Sequence, residues 1–214
     1  MTPQEQTIID NFHNLYYNGI NDDGPIYRRT YWMNIPCLKC PLDLWIYQEI
    51  IAAIRPGLII ETGTHMGGSA LFMAHMLDLI GQGKIITIDI VDHPGRPIHP
   101  RITYVKGSST DNDLINPVVG FRPAETCLVV LDSDHSKSHV LAELNLFAPY
   151  ASVGSYIIVE DTNINGHPTF GTFGEGPFEA MEEFLKSNTN YIVDESREKF
   201  LMTFNPRGYL KRII

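Results

Sequence analysis

Four short runs of the chain, LIIE, KIITID, TCLVVL and SYIIVE, are apolar almost throughout, and stretches of helical length separate them. This alternation constrains the fold more than any other feature. A strand that is apolar on both faces must be covered on both faces. A helix between successive strands makes the crossover that parallel pairing needs. Strands are therefore expected at Leu58–Glu61, Lys84–Asp89, Thr126–Leu131 and Ser155–Glu160, with another at Ile102–Lys106. Helices are expected at Gly68–Ile80, Asp111–Gly120, Ser136–Phe147 and Pro177–Ser187. Beyond them, Tyr191–Val193, Phe200–Phe204 and Tyr209–Ile213 follow one another across short turns, which implies antiparallel pairing. The expectation is an α/β doubly wound, mostly parallel sheet with an antiparallel C-terminal edge.

Ahead of the sheet, Met1 to about Asn18 reads as a helix. Asn21–Pro41, rich in proline and aromatics, reads as an irregular arm, and Leu42–Ile54 as a helix ended by Pro56 and Gly57. Residues 1–214 are read as a single domain whose N-terminal arm is 1–41, a size that supports one full core. The stripe Leu71, Phe72, Met76 and Leu79 is read as core.

Composition narrows the function. With 43% hydrophobic and 19% charged residues the chain is globular in type, and a formal net charge of −9 argues against a nucleic-acid partner. No run is long enough to span a membrane, and MTPQEQTIID lacks the basic and apolar regions of a signal peptide. Three cysteines are too few for a disulfide framework, so a reducing, cytoplasmic setting is expected. Cys37 and Cys40 form a lone CxxC with no second pair, read as packing rather than a zinc site.

Ligands of open parallel sheets bind at the carboxyl ends of the strands. Acidic residues gather there: Glu61 after the first strand, Asp89 after the second, Asp132 and Asp134 after the fourth, Glu160 and Asp161 after the fifth. Turn-forming aspartates account for one or two of these, and Asp134 reads as a cap of the following helix. Glutamate is a poor turn residue, so Glu160 is not explained that way.

The first strand runs into ETGTHMGGSA. Gly63, Gly67 and Gly68 allow a ligand to approach the backbone, and the next helix offers free N–H groups there. The spacing is not the dinucleotide G-x-G-x-x-G, because position 65 is His and the third glycine is misplaced. A carboxylate before the glycines repels a pyrophosphate and suits a cationic cofactor. S-adenosylmethionine has an ammonium, a sulfonium and no phosphate. Asp89 stands where a carboxylate accepts both ribose hydroxyls.

Together, ETGTHMGGSA, TIDI, KGSSTD, LDSDH and VEDTNINGHP resemble class I methyltransferases, above all the cephalosporin-hydroxylase-type family that includes O-methyltransferases of antibiotic and rhamnosyl-lipid pathways. The resemblance extends through KCPLDLWIYQEII and FLMTFNPRGYLKR, and more distantly to magnesium-dependent catechol O-methyltransferases. It implies a methionine-end site at Glu61, Gly63, His65 and Ser69, a ribose ligand at Asp89 and an adenine-side loop at Ser108 and Ser109. Thr64 and Asp132 complete the implied cofactor set. It also implies a magnesium ion held by Asp132, Glu160 and Asp161. His135 lies where the catechol enzymes carry a lysine base, so the base is left open.

The chemistry fits these residue types. A neutral alcohol must lose its proton before it attacks the sulfonium methyl. A magnesium ion on neighbouring acceptor oxygens lowers that pKa. An imidazole can take up a proton near neutral pH, and His135 is placed to take it. His135 and His139 are four apart on one helix, a spacing that zinc also uses, but are read as a solvated pair. The segment GHPTFGTFGEGPFEA, Gly166–Ala180, is expected as lid or acceptor wall, or as a contact between subunits. Tyr31, Trp32 and Met33 are expected as a second wall or as a contact between subunits.

The reading is an S-adenosylmethionine- and Mg2+-dependent O-methyltransferase acting on a small hydroxylated acceptor, a sugar or natural-product scaffold, and expected to be a homo-oligomer. The alternatives are a nicotinamide-dependent oxidoreductase on a similar fold and a non-catalytic cofactor-binding partner protein.

Overall fold

The computed structural model describes residues 1–21, 24–120 and 125–214. Positions 22 and 23 of the expected arm lie outside them. Helix α1 spans Pro3–Asn18. Its capping box is complete, with Thr2 and Glu5 each accepting the other's backbone N–H. The arm that follows is irregular, as expected: two-residue antiparallel pairings join Ile20–Asn21 to Gly24–Pro25 and Tyr31–Trp32 to Ile35–Pro36, and Ile26–Arg29 is a single 3-10 turn.

Helix α2 spans Pro41–Ile54, α3 Gly68–Ile80, α4 Asn112–Val119, α5 Lys137–Phe147 and α6 Pro177–Ser187. The main sheet contains β1 (Leu58–Thr62), β2 (Lys84–Asp89), β3 (Ile102–Lys106), β4 (Cys127–Leu131), β5 (Tyr156–Val159), β6 (Tyr191–Val193) and β7 (Tyr209–Arg212). Its order is β6-β7-β5-β4-β1-β2-β3. Strands β1 to β5 pair in parallel, while β7 pairs antiparallel with both β5 and β6. The chain starts at the centre of the sheet, winds out to β3, then returns past β1 to β4. The carboxyl ends of β1 and β4 therefore flank the reversal point, where a crevice opens.

Alternate residues of each strand feed two cores. Ile59, Ile85, Leu128, Val130 and Ile158 pack with Ile46, Ile50, Phe72 and Met73 of α2 and α3. Leu58, Ile60, Val129, Leu131 and Ile157 pack with Ile115, Val140, Leu144 and Phe184 of α4 to α6. Burying both faces of β1, β4 and β5 is what their unbroken apolar runs require.

Two expectations fail. Leu79 is 80% exposed, whereas Leu71 and Phe72 are buried. Leu77, fully buried, fills the core from the last turns of α3 instead. Phe200–Phe204 is not a strand. Asp43 of α2 accepts the Phe204 N–H (2.8 Å), a backbone donor that a ladder would need, together with the Thr203 and Tyr209 hydroxyls. Burial and the neighbouring Glu160 push Asp43 up to about 7.

Candidate active site

The first turn after β1 is shaped by contacts between backbones. Gly63 has φ +81°, and a Cβ there would stand 1.7 Å from the Asp132 carbonyl oxygen. A Cβ on Gly68, at the start of α3, would meet the Pro36 carbonyl oxygen at 2.1 Å. The glycines thus let three segments converge: the turn itself, the end of β4 and the arm before α2. Beside this convergence lies a cavity of ≈ 540 Å³, a size typical of small-molecule sites.

Most of the residues singled out in the sequence meet in its wall: Gly63, Thr64, His65, Ser69, Asp89, Ser109, Asp132, His135 and Asp161. Glu61, Ser108 and Glu160 stand elsewhere. Glu61 is fully buried one layer behind Ser69. Its carboxylate accepts hydrogen bonds from Ser69 Oγ (2.5 Å) and Thr87 Oγ1 (2.6 Å), and Thr87 in turn meets Thr64 (2.7 Å). Burial pushes Glu61 up to about 7, against the pull of those two donors and Lys39. Glu61 therefore stiffens the cavity wall from behind and is not itself a wall residue. Ser108 turns to Thr110 (2.9 Å), leaving Ser109 to face the cavity and meet His139 Nε2 at 3.0 Å.

Asp89 ends β2. Its Oδ2 accepts the His65 N–H (2.7 Å) and its Oδ1 the Val91 N–H (2.9 Å), and Oδ1 keeps lone-pair capacity for a ligand hydroxyl. Arg96, which the sequence did not single out, fastens this corner. It donates to Asp89 Oδ2 (3.2 Å) and to the carbonyls of His65 and Val91 (both 2.8 Å).

The acidic centre lies at the ends of β4 and β5. Asp132, His135 and Asp161 bring one ligand atom each within 4.8 Å of one another. His135 Nε2 is 3.4 Å from Asp161 Oδ2. Asp161 has a left-handed backbone (φ 54°), and its N–H donates to Asn205 Oδ1 (3.1 Å). Aspartate tolerates that conformation better than most residues. Burial, reinforced by Asp132 and Glu160, pushes Asp161 up to about 6 despite the attraction of His135.

Of the three carboxylates expected together, Asp132 and Asp161 line the cavity and Glu160 does not. Glu160 is 3% exposed and accepts the Tyr47 hydroxyl, with Lys39 Nζ at 3.1 Å. Consecutive residues of one turn point apart, so Asp161 reaches the cavity while Glu160 goes inward, and His135 completes the cluster. Lys39 Nζ also touches Asp132 Oδ2 at 2.7 Å. These two carboxylates hold its pKa above the usual lysine value against the effect of burial. Neither Lys39 nor Tyr47 was foreseen. Asp134 does not cap α5 as expected: it accepts the Ser136 N–H (2.7 Å) in a turn just before the helix, whose N-cap residue is Ser136 itself. His139 turns to Ser109 and Glu143, so the two histidines of the expected pair serve different partners.

Aromatic side chains also contribute to the wall. Phe170 and Phe173 of the Gly166–Ala180 segment line it, and so do Tyr17, Tyr27 and Phe204. Tyr31, Trp32 and Met33 do not. Trp32 donates to His75 Nδ1 (2.9 Å) and packs on Phe72, while Tyr31 and Met33 are exposed. Cys37 and Cys40 are free and buried, and burial pushes the Cys37 thiol up to about 12.

The two carboxylates, Asp132 and Asp161, offer the oxygen donors that suit a small hard dication, and a cation between them would offset the repulsion that adds to burial in raising Asp161, with His135 beside it. Among the described residues, no helix is long and apolar enough to cross a membrane.

Comparison with known proteins agrees with this geometry. A family profile described as rhamnosyl O-methyltransferase/CmcI matches residues 26–213. A rhamnosyl O-methyltransferase of Mycobacterium bovis BCG is 39% identical over 215 residues, covering 96% of this chain and 85% of the relative. That of Mycobacterium leprae is 38% identical, covering 96% and 91%. Among solved structures, a CmcI structure described as carrying Mg and SAM superposes with a TM-score of 0.67 at 18% identity, covering 91% of this chain and 81% of that one. MycE, described in complex with Mg, SAH and mycinamycin VI, gives 0.51 at 21% identity over 66% of this chain and 38% of that one. The fold is that of the class I methyltransferases, and the chain belongs to the rhamnosyl O-methyltransferase/CmcI family of O-methyltransferases.

Proposed function

We propose that the protein transfers the methyl group of S-adenosylmethionine to a hydroxyl of a small glycosylated acceptor, with magnesium at the acidic centre. The observation that carries this is one cavity shared by the Gly63–Ser69 wall, Asp89 and the Asp132–His135–Asp161 cluster. Asp132 and Asp161 would hold a divalent ion, which would lend Lewis acidity to the acceptor hydroxyl, and S-adenosylmethionine, when bound, would supply the electrophilic methyl. Asp89 accepts the ribose hydroxyls. Thr64, His65 and Ser69 border the methionine end, and Ser109 the adenine side. His135 takes the acceptor proton. Tyr17, Tyr27, Phe170 and Phe173 exclude water and offer faces on which a deoxy-sugar packs its apolar side.

The relatives' name, rhamnosyl O-methyltransferase, supports a rhamnosyl or similar sugar in a natural-product or glycolipid scaffold. The whole chain acts as one domain in this reading. Exposed Tyr31, Met33 and Trp45 support a homo-oligomer, which light scattering tests. Three free, buried thiols fit a reducing, cytoplasmic compartment.

The deciding experiment is methyl transfer from labelled S-adenosylmethionine to alkyl rhamnosides, with and without EDTA, beside calorimetric titration with S-adenosylhomocysteine and NAD. Methylated product that disappears in EDTA, with S-adenosylhomocysteine still bound, is the expected result. Undiminished turnover in EDTA removes the metal, and binding of NAD alone removes the methyl-transfer reading.

A further inference from the structure

Lys39 is a lysine where lysines are seldom found. It is 2% exposed, and its ammonium lies 2.7 Å from Asp132 Oδ2 and 3.1 Å from Glu160 Oε1. It approaches from the arm before α2, and the carboxylates come from the ends of β4 and β5. Four carboxylates, Glu61, Asp132, Glu160 and Asp161, crowd this end of the sheet, and each raises the cost of charging its neighbours. Lys39 is the ammonium among them and acts as a point charge with three donors. Glu160, enclosed by Lys39 and the Tyr47 hydroxyl, has its charge met inside the protein. Asp132 is shared, with one oxygen on Lys39 while its side chain remains a member of the Asp132–His135–Asp161 cluster.

We propose that Lys39 is a resident cation of the acidic centre, a positioning residue that keeps Asp132 and Glu160 in place without metal and, by sharing Asp132, holds the affinity for a divalent ion low enough for reversible binding. The inference rests on the metal site proposed above. A neutral side chain at 39 leaves Asp132 with its full charge for the ion and leaves Glu160 without its ammonium. Divalent affinity then rises while the metal-free protein becomes less stable. A residue that merely packs does not strengthen metal binding when removed.

The test is calorimetric titration of EDTA-stripped wild type, Lys39→Met, Lys39→Gln and Lys39→Arg with MgCl2 and MnCl2, beside thermal unfolding with and without 5 mM MgCl2, about the concentration at which a site of millimolar affinity fills. The methionine and glutamine variants should bind at least about tenfold more tightly than wild type, and the arginine variant within about threefold of it. The neutral variants should unfold at a lower temperature in EDTA and gain more from magnesium than wild type does. If they fold only in magnesium, the ion has replaced the lysine, which supports the proposal. Equal or weaker binding by both neutral variants overturns it, and so does failure of both to fold in magnesium. A wild type that binds neither ion overturns the metal site, and this inference with it.

Discussion

Two glycine-bearing segments border the same cavity, residues 63–68 and residues 166–174, and they use glycine for different reasons. In the first, glycine makes room. A Cβ on Gly63 or Gly68 would run into backbone of another segment, at 1.7 and 2.1 Å. In the second, a Cβ on Gly174 would meet nothing within 4 Å, and one on Gly166 would meet only Gly171, at 3.9 Å. That segment is held by polar side chains. Glu179 accepts from Asn165 (3.0 Å), His167 (2.9 Å) and the Gly176 N–H (2.7 Å), and Asn165 accepts the Gly174 N–H (3.1 Å). Burial alone would raise Glu179, but these hydrogen bonds together hold it down at about 2. From α1, His13 Nε2 pairs with Asn163 Nδ2 (2.9 Å), and Asn14 donates to the Pro168 carbonyl (3.3 Å). The first segment is fixed by steric fit, as suits a wall that keeps one shape for a common cofactor. The second is fixed by replaceable hydrogen bonds, as suits a wall that differs with the acceptor.

The difference can be broken by substitution. Gly63→Ala should have the largest effect. It combines a left-handed φ with an impossible contact, so a loss of about 3 kcal/mol or more is expected in urea unfolding, or no folded protein at all. A variant of nearly wild-type stability would show that the two segments are alike. Next, Asp89→Ala removes the carboxylate that holds the His65 N–H. We expect S-adenosylhomocysteine to bind about ten- to a hundredfold more weakly, with the fold retained. An unchanged dissociation constant would detach Asp89 from the ribose.

His13 sharpens the other side. Burial lowers it to about 4, so the native state holds it neutral. The unfolded chain, near 6.5, takes up a proton first as pH falls. The stabilisation is complete above 6.5 and drains away as pH drops from there toward 4. Between pH 7 and 4.5 about 2 kcal/mol should be lost, and His13→Gln, which keeps an acceptor for Asn163, should flatten that part of the pH profile. An equal slope in both proteins would move its origin elsewhere. The smallest effect should come from Gly174→Ala, where only the backbone conformation (φ +98°) is at stake. About 1 kcal/mol is expected, with cofactor affinity unchanged. A clash-sized loss at this open position would overturn the distinction.

What the sequence made legible was local. The apolar runs announced β1, β2, β4 and β5, because burying both faces leaves no polar alternation to find. Strand ends carry Asp89, Asp132 and Asp161 to one edge because parallel strands all finish there. What stayed hidden depends on partners remote in the chain. Lys39 reads as an ordinary polar residue before a helix until Asp132, 93 positions on, is seen against it. Phe200–Phe204 has the composition of a strand, and only Asp43 diverts its hydrogen bonds. Glu160 and Asp161 look equivalent as neighbours, and the left-handed backbone at Asp161 is what separates their directions. Arg96 gave no sign, since nothing in HPGRP shows which carbonyls it will clasp.

Three polar contacts around the carboxyl end of the sheet join distant parts of the chain: Lys39 to Asp132 across 93 positions, His13 to Asn163 across 150, Asp43 to Thr203 across 160. During synthesis Lys39, His13 and Asp43 leave the ribosome long before these three partners. Loops of this length are slow to close, and their ends stay exposed until they do. The central strands can collapse earlier on their own apolar faces, but the acidic centre waits for β5, and the floor under α2 waits for residues 203–209. Competence for chemistry should therefore be the last property the nascent protein acquires. In a refolding experiment, recovery of divalent-ion binding should lag behind recovery of the sheet's circular dichroism.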